Sequence, residues 1–189
     1  MEKLTGLKKI NTAVFISGTG SNLKNLIKFS KIKKAPISIS LIISNTAKAK
    51  GLILADQFKI RKKIFNFKNT EKNLLLLLKK EKIKFICLAG FMKILSKNFI
   101  KKFDGKIINI HPSLLPKYKG LNTHIKAINN KDKFTGCTVH YVTVKLDSGK
   151  IILQKTVKIA ANDNPASLAK KVLKQEHRLY PAAIMKIFD

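Results

Sequence analysis

The stretch IINIHPSLLPKYKG, residues 107–120, sets Asn109 and His111 on either side of one isoleucine. On a strand the two side chains share a face, because side chains alternate along an extended backbone. An asparagine amide can donate a hydrogen bond to a developing oxyanion. An imidazole can give or take a proton near neutral pH. Pro112 and Pro116 stiffen the loop that follows, and the Leu115–Pro116 bond can be cis. Taken alone, the pair also fits a turn-capping asparagine beside a satisfied core histidine.

Two further stretches bear on that choice. SGTGSN, residues 17–22, lies between a strand pattern and a helix pattern. Its glycines let backbone amides approach an anion, and a helix N-terminus adds partial positive charge. The other reading is a tight strand-to-helix turn capped by Ser21 or Asn22. It is neither a Walker loop nor a complete dinucleotide fingerprint. VKLDSGKIIL places Asp147 at a hairpin tip. A carboxylate there could reach His111, fix its tautomer and favour its charged form; aspartate also simply favours turns. The remaining histidines, His124, His140 and His177, come without a CxxC, an HExxH or a carboxylate cluster, so no metal site is expected.

Alternating strand and helix patterns place these residues. TAVFISG (12–18), ISISLIIS (37–44), KKIFNF, KFICLAG (84–90) and KIINI (106–110) read as strands. SNLKNLIKF, with Leu23, Leu26 and Ile27 at helical spacing, AKGLILADQFK, TEKNLLLLLKKEK (70–82) and SKNFIKKF read as helices. Thr70 is the expected N-cap of the third. The alternation predicts βαβ units and a mostly parallel sheet. Beyond residue 130 two long β-type runs, 134–146 and 149–159, are separated only by DSG, which predicts an antiparallel hairpin. A final helix is predicted over 162–188, with Asp163 or Asn164 as cap and Pro165 in its first turn. Pro181 is expected to kink or break it.

Composition narrows the class. A chain of 189 residues suits one compact domain, taken as 1–189, and 45% hydrophobic residues supply a core. No apolar run is long enough to cross a bilayer, and the N-terminus lacks the pattern of a signal peptide, so a cytoplasmic protein is expected. Cys87 and Cys137 are expected to be buried, reduced thiols. The formal charge is +29, yet of 39 basic residues all but Arg61 and Arg178 are lysine. Arginine is the commonest reader of base edges, and the lysines are spread along the whole chain. The charge is therefore expected to be a solvated surface that draws anionic substrates, not a specific nucleic-acid site.

Several blocks together resemble the phosphoribosylglycinamide formyltransferase family, the folate-dependent enzymes of purine synthesis. They are FISGTGSNL, LAGFMKILS, NIHPSLLPKYKG, GCTVHYV, LDSGKIILQ and QEHRLYP, in that order over nearly the whole chain. The resemblance implies a single-domain α/β formyltransferase fold, with a Rossmann-like, mostly parallel sheet flanked by helices, a C-terminal antiparallel hairpin and a long final helix. It implies transfer of the formyl group of 10-formyltetrahydrofolate, as co-substrate and without metal, to the amine of 5-phosphoribosylglycinamide. The family's catalytic asparagine, histidine and aspartate fall on Asn109, His111 and Asp147, with His111 and Asn109 stabilising a tetrahedral intermediate. Its phosphate turn falls on Gly20, Ser21 and Asn22, and a carboxylate near the substrate ribose on Glu176. The folate cleft falls on Met92, Lys93, Ile94 and Leu95, together with Asn109. Thr70 stands where some members carry a basic folate contact, with Lys68 or Lys72 as substitutes. Thr19 replaces the asparagine often found in the glycine turn. Among relatives of this fold, methionyl-tRNA formyltransferase normally has a further C-terminal domain and formyltetrahydrofolate hydrolase an N-terminal one. The resemblance therefore implies small-molecule partners, no specific nucleic acid, no membrane, and a monomer or weak homodimer.

Overall fold

The computed structural model describes residues 8–67 and 70–189. The Lys68 expectation lies outside the described residues. Strands β1 (Ile10–Ile16), β2 (Ile37–Ser44), β3 (Arg61–Ile64), β4 (Phe85–Leu88), β5 (Lys106–His111), β6 (Phe134–Tyr141) and β7 (Ile151–Lys158) form one sheet in the order β3-β2-β1-β4-β5-β6-β7. The first five strands run parallel. β6 and β7 join antiparallel, each to its predecessor. The predicted α/β architecture, including the antiparallel C-terminal strands and long last helix, is the one observed.

The central strands are apolar without interruption because both sheet faces are covered. Val14 and Ile16 point to one core with Leu23 and Leu26 of α1 (Ser21–Ser30) and Ala55 of α2 (Leu52–Gln57). Tyr180 and Ile184 of α6 (Pro165–Phe188) belong to the same core. Ala13 and Phe15 point to the other core, with Leu74 and Leu78 of α3 (Glu71–Lys80) and Phe99 of α4 (Lys97–Lys102). Cys87 and Cys137 are buried free thiols. Burial pushes the Cys87 thiol well up and that of Cys137 to about 12.

Four local expectations are corrected. Thr70 occupies the N-cap position of α3, but its hydroxyl donates to the Asn66 carbonyl and caps nothing. The 142–150 connection is longer than DSG, since β6 ends at Tyr141 and β7 starts at Ile151. A helix not predicted, α5 (Thr123–Asn129), follows the proline loop. Finally, of the kink or break expected at Pro181, the break does not occur, since α6 continues through it. Proline removes one helical N–H and so frees the carbonyl four residues back. That carbonyl, on His177, accepts from Asn25 Nδ2 at 2.6 Å. Asn164 is the cap chosen at the other end, accepting from the Ala166 and Ser167 amides.

The chain passes from β1 outward to β3, then back to β4 on the other side of β1. The strand order thus reverses between β1 and β4, where open α/β sheets form a crevice at the strand carboxyl ends. The turn after β1, the segment after β4 and the end of β5 all open there.

Candidate active site

A cleft of about 930 Å³ runs along these strand ends. Asn109, His111 and Asp147 line it together, as do Ser21, Asn22, Glu176 and the wall formed by Met92, Lys93, Ile94 and Leu95. Gly20 lies just behind the lining. Thr70 does not reach the cleft, because its hydroxyl is turned to Asn66. Lys72 lines a separate hollow with Lys84 and Lys102.

Strand register delivers the polar group. Antiparallel pairing of β5 with β6 sets Asn109 opposite His140 and His111 opposite Thr138. Asn109 Nδ2 lies 3.3 Å from His140 Nε2. His140 Nδ1 lies 2.9 Å from the Tyr141 carbonyl, which can only accept. Nδ1 therefore carries a proton, and in that tautomer Nε2 accepts from Asn109. His140 thereby orients the Asn109 amide. Asp147 lies between the two imidazoles, with Oδ2 3.5 Å from His111 Nδ1 and Oδ1 3.6 Å from His140 Nε2. It is held there by the Gly120 N–H, which donates to Oδ2 at 2.9 Å.

The other ring nitrogen of His111 donates to the Tyr118 carbonyl at 2.9 Å. That carbonyl is aimed by an unusual turn, since Tyr118, Gly120 and Asn122 have φ of 55°, 75° and 61°. A bulky residue in the left-handed region is strained, and such strain concentrates at functional sites. The proline loop is pinned to the sheet by Thr138, whose hydroxyl donates to the Ser113 carbonyl at 2.6 Å and accepts from the Leu115 amide at 3.1 Å. Gln154 on β7 donates to the Leu115 carbonyl at 2.8 Å. The peptide bond between Leu115 and Pro116 is cis.

Burial lowers the His111 pKa below its ordinary 6.5, and outweighs the upward pull of the Tyr118 carbonyl and of Asp147. The upward influence expected of Asp147 is present, but burial sets the net direction. Burial also pushes Asp147 up, but the neighbouring His140, the Gly120 amide and His111 pull it down and win. Its carboxyl is held below the ordinary carboxylate range. Ground-state His111 is therefore neutral at pH 7, poised to accept a proton beside a fixed anion.

At the glycine turn, Gly20 has φ 80° and its α-carbon faces Gly51. A Cβ on Gly20 would come within 2.7 Å of the Gly51 Cα, so only glycine fits. The turn leads into α1, whose first amides have no helical partner, and Ser21 and Asn22 line the cleft. Asn22 Nδ2 donates to Glu176 Oε2 at 2.7 Å, while Asn22 Oδ1 is buried without a partner. A buried polar atom left unpaired costs stability, and it suits a ligand donor. Among the described residues no group of three or more His, Cys, Asp or Glu side chains could hold a metal ion. No described helix is long and apolar enough to cross a membrane.

Sequence reasoning left His140, Tyr118, Thr138 and Gln154 without a role. His140 and Thr138 stand in GCTVHYV and Gln154 in LDSGKIILQ, blocks whose alternation marks a strand face but not the partner across it.

Residues 10–184 match the model of the formyl transferase family. The phosphoribosylglycinamide formyltransferase of Haemophilus influenzae is 42% identical over 184 residues, covering 94% of this chain and 86% of that protein. The trifunctional purine biosynthetic protein adenosine-3 of Homo sapiens is 42% identical over 186 residues, and the match spans only 18% of its length. The crystal structure of phosphoribosylglycinamide formyltransferase from Brucella melitensis superposes with a TM-score of 0.90 at 41% identity, over 95% of this chain and 96% of that one. The chain belongs to the formyl transferase family and, within it, to the phosphoribosylglycinamide formyltransferases.

Proposed function

We propose that this protein, acting as one domain in the cytoplasm, transfers a formyl group from 10-formyltetrahydrofolate to the glycinamide amine of 5-phosphoribosylglycinamide. The observation that carries the reading is the Asn109–His140–Asp147–His111 cluster lying in the same cleft as the glycine turn. The turn at Gly20, Ser21 and Asn22 suits a phosphate, by backbone amides and helix polarity. Glu176, beside Asn22, suits a sugar hydroxyl. Exposed Met92 and Ile94, with Leu95, Val144 and Leu146, give an apolar wall suited to a flat heteroaromatic ring.

As the amine attacks the formyl carbon, negative charge gathers on the formyl oxygen of a tetrahedral intermediate. The Asn109 amide donates to that oxygen, a contribution of about 3 kcal/mol in the transition state. His111 accepts a proton and adds positive charge beside it, which Asp147 balances. The proton lost by the amine reaches the leaving nitrogen through His111 or a water. Binding both substrates in one cleft adds the proximity contribution. The chemistry needs no metal.

Nuclease-treated protein should formylate glycinamide ribonucleotide from a 10-formylfolate in a spectrophotometric assay, and leave glycine and methionyl-tRNA untouched. Formylation of methionyl-tRNA in preference to the ribonucleotide would overturn the reading.

A further inference from the structure

One hydroxyl ties together the carboxyl ends of three adjacent strands. Ser17 follows β1, Asn45 follows β2, and residues 90–92 follow β4. The Ser17 hydroxyl donates to Asn45 Oδ1 at 2.5 Å and accepts from the Met92 N–H at 2.7 Å. The Ser17 N–H donates to the Gly90 carbonyl at 3.1 Å. Ser17 stands behind the cleft and is not part of its lining.

Met92 begins the apolar wall of the cleft. Its side chain and that of Ile94 are 63% and 72% exposed, so packing does not fix the wall. Its position is set by its ends. At one end the Phe91 ring meets Phe15 and Phe67 edge-on, at centroid distances of 5.5 Å and 5.0 Å. At the other, Leu95 is buried and the Ser96 amide donates to Glu71 at 3.0 Å. Ser17 connects this wall to the turn at 17–22, of which it is the first residue.

We infer that Ser17 is a positioning residue: its hydroxyl holds the 92–95 wall against the anion-binding turn, and so sets the separation of the two substrate half-sites. The kinetic consequence rests on the function proposed above; the structural consequence does not. A wall displaced by about an ångström would lose much of the proximity on which a two-substrate transfer depends.

The test compares Ser17→Ala, Ser17→Thr and Asn45→Ala with the unaltered protein, by steady-state kinetics and by amide hydrogen exchange. Ser17→Ala should raise KM for the formyl donor about tenfold, the scale of one amide left unsatisfied. KM for glycinamide ribonucleotide should stay within about twofold. Exchange of the Met92 amide should quicken about tenfold. Ser17→Thr keeps the hydroxyl and should restore both. Asn45→Ala removes the acceptor that orients the hydroxyl and should shift both readouts less, in the same direction. An equal rise in both KM values, or unchanged Met92 exchange in folded Ser17→Ala protein, overturns the inference. If that variant does not fold, Asn45→Ala measured the same way decides. Absence of transfer by the unaltered protein overturns the proposed function instead, and the exchange measurement still decides the role of Ser17.

Discussion

Asp147 and Glu176 line the same cleft, one on the 142–150 connection and one on α6, and their surroundings move them in opposite directions. Burial raises both pKa values. At Asp147 it is overcome, because a backbone N–H and two imidazoles face the carboxylate. At Glu176 it wins, because the Asn22 amide is the donor set against a nearly complete loss of water. The lesson is that depth and the groups facing a carboxyl together decide whether it keeps its charge. In the proposed reaction, a fixed anion suits the place beside His111, which takes up a proton. In the proposed binding mode, a carboxyl more readily protonated suits the neutral sugar hydroxyl assigned to Glu176.

The strongest way to break this contrast is to neutralise Asp147 without changing its shape. Asp147→Asn should lower kcat by about 10³-fold or more with the circular dichroism spectrum unchanged, and His111→Ala should do the same. Near-normal turnover in both would remove the roles assigned to them. Asn109→Ala should lower kcat by about 10²-fold, the loss of one oxyanion donor. Glu176→Gln should act on binding instead, raising KM for glycinamide ribonucleotide about tenfold while kcat stays within about threefold. A loss of turnover matching that of Asp147→Asn would erase the distinction.

A smaller effect is expected in stability. Burial lowers the pKa of His111, His124 and His177 below 6.5. The unfolded chain then binds more protons, so these groups contribute stability fully above pH 6.5 and lose it as pH falls through their lowered values. Tm should drop by a few degrees, about 2–4 °C, between pH 7.5 and 5.5. Glu176, with a raised pKa, works in the opposite sense: its contribution is present at low pH and is lost as pH rises above its ordinary 4.5. Glu176→Gln should therefore steepen the acid-side fall in a calorimetric series. The smallest effect concerns the lysine-rich surface. KM for the phosphorylated substrate should rise about twofold between 50 and 300 mM salt, as screening weakens its attraction to the cleft.

Much of this arrangement was legible from residue order, and the exceptions have physical reasons. ISISLIIS is a strand over its full predicted length because no neighbouring residue extends its pattern. Asn109 and His111 share a face by strand periodicity alone. His140 escaped notice because its importance depends on which residue stands across from it, and register between β5 and β6 is a tertiary property. Helix α5 was missed because it buries only Thr123 and Ala127, too little for an apolar stripe. Val142, Val144 and Leu146 alternate as a strand would, yet Val144 and Leu146 are half exposed and line the cleft. The sequence left a kink or a break open at Pro181 because Asn25, which satisfies the carbonyl it frees, lies on another helix far away in sequence. The net direction at His111 required knowing how deeply it lies.

Gly20 and Gly51 touch backbone to backbone, and a methyl on Gly51 would meet the Gly20 Cα at 2.9 Å. Neither position can drift alone, however the rest of the surface varies. A chimera that brings a larger residue to either position should therefore lose the phosphate binding proposed for the turn before it loses its fold.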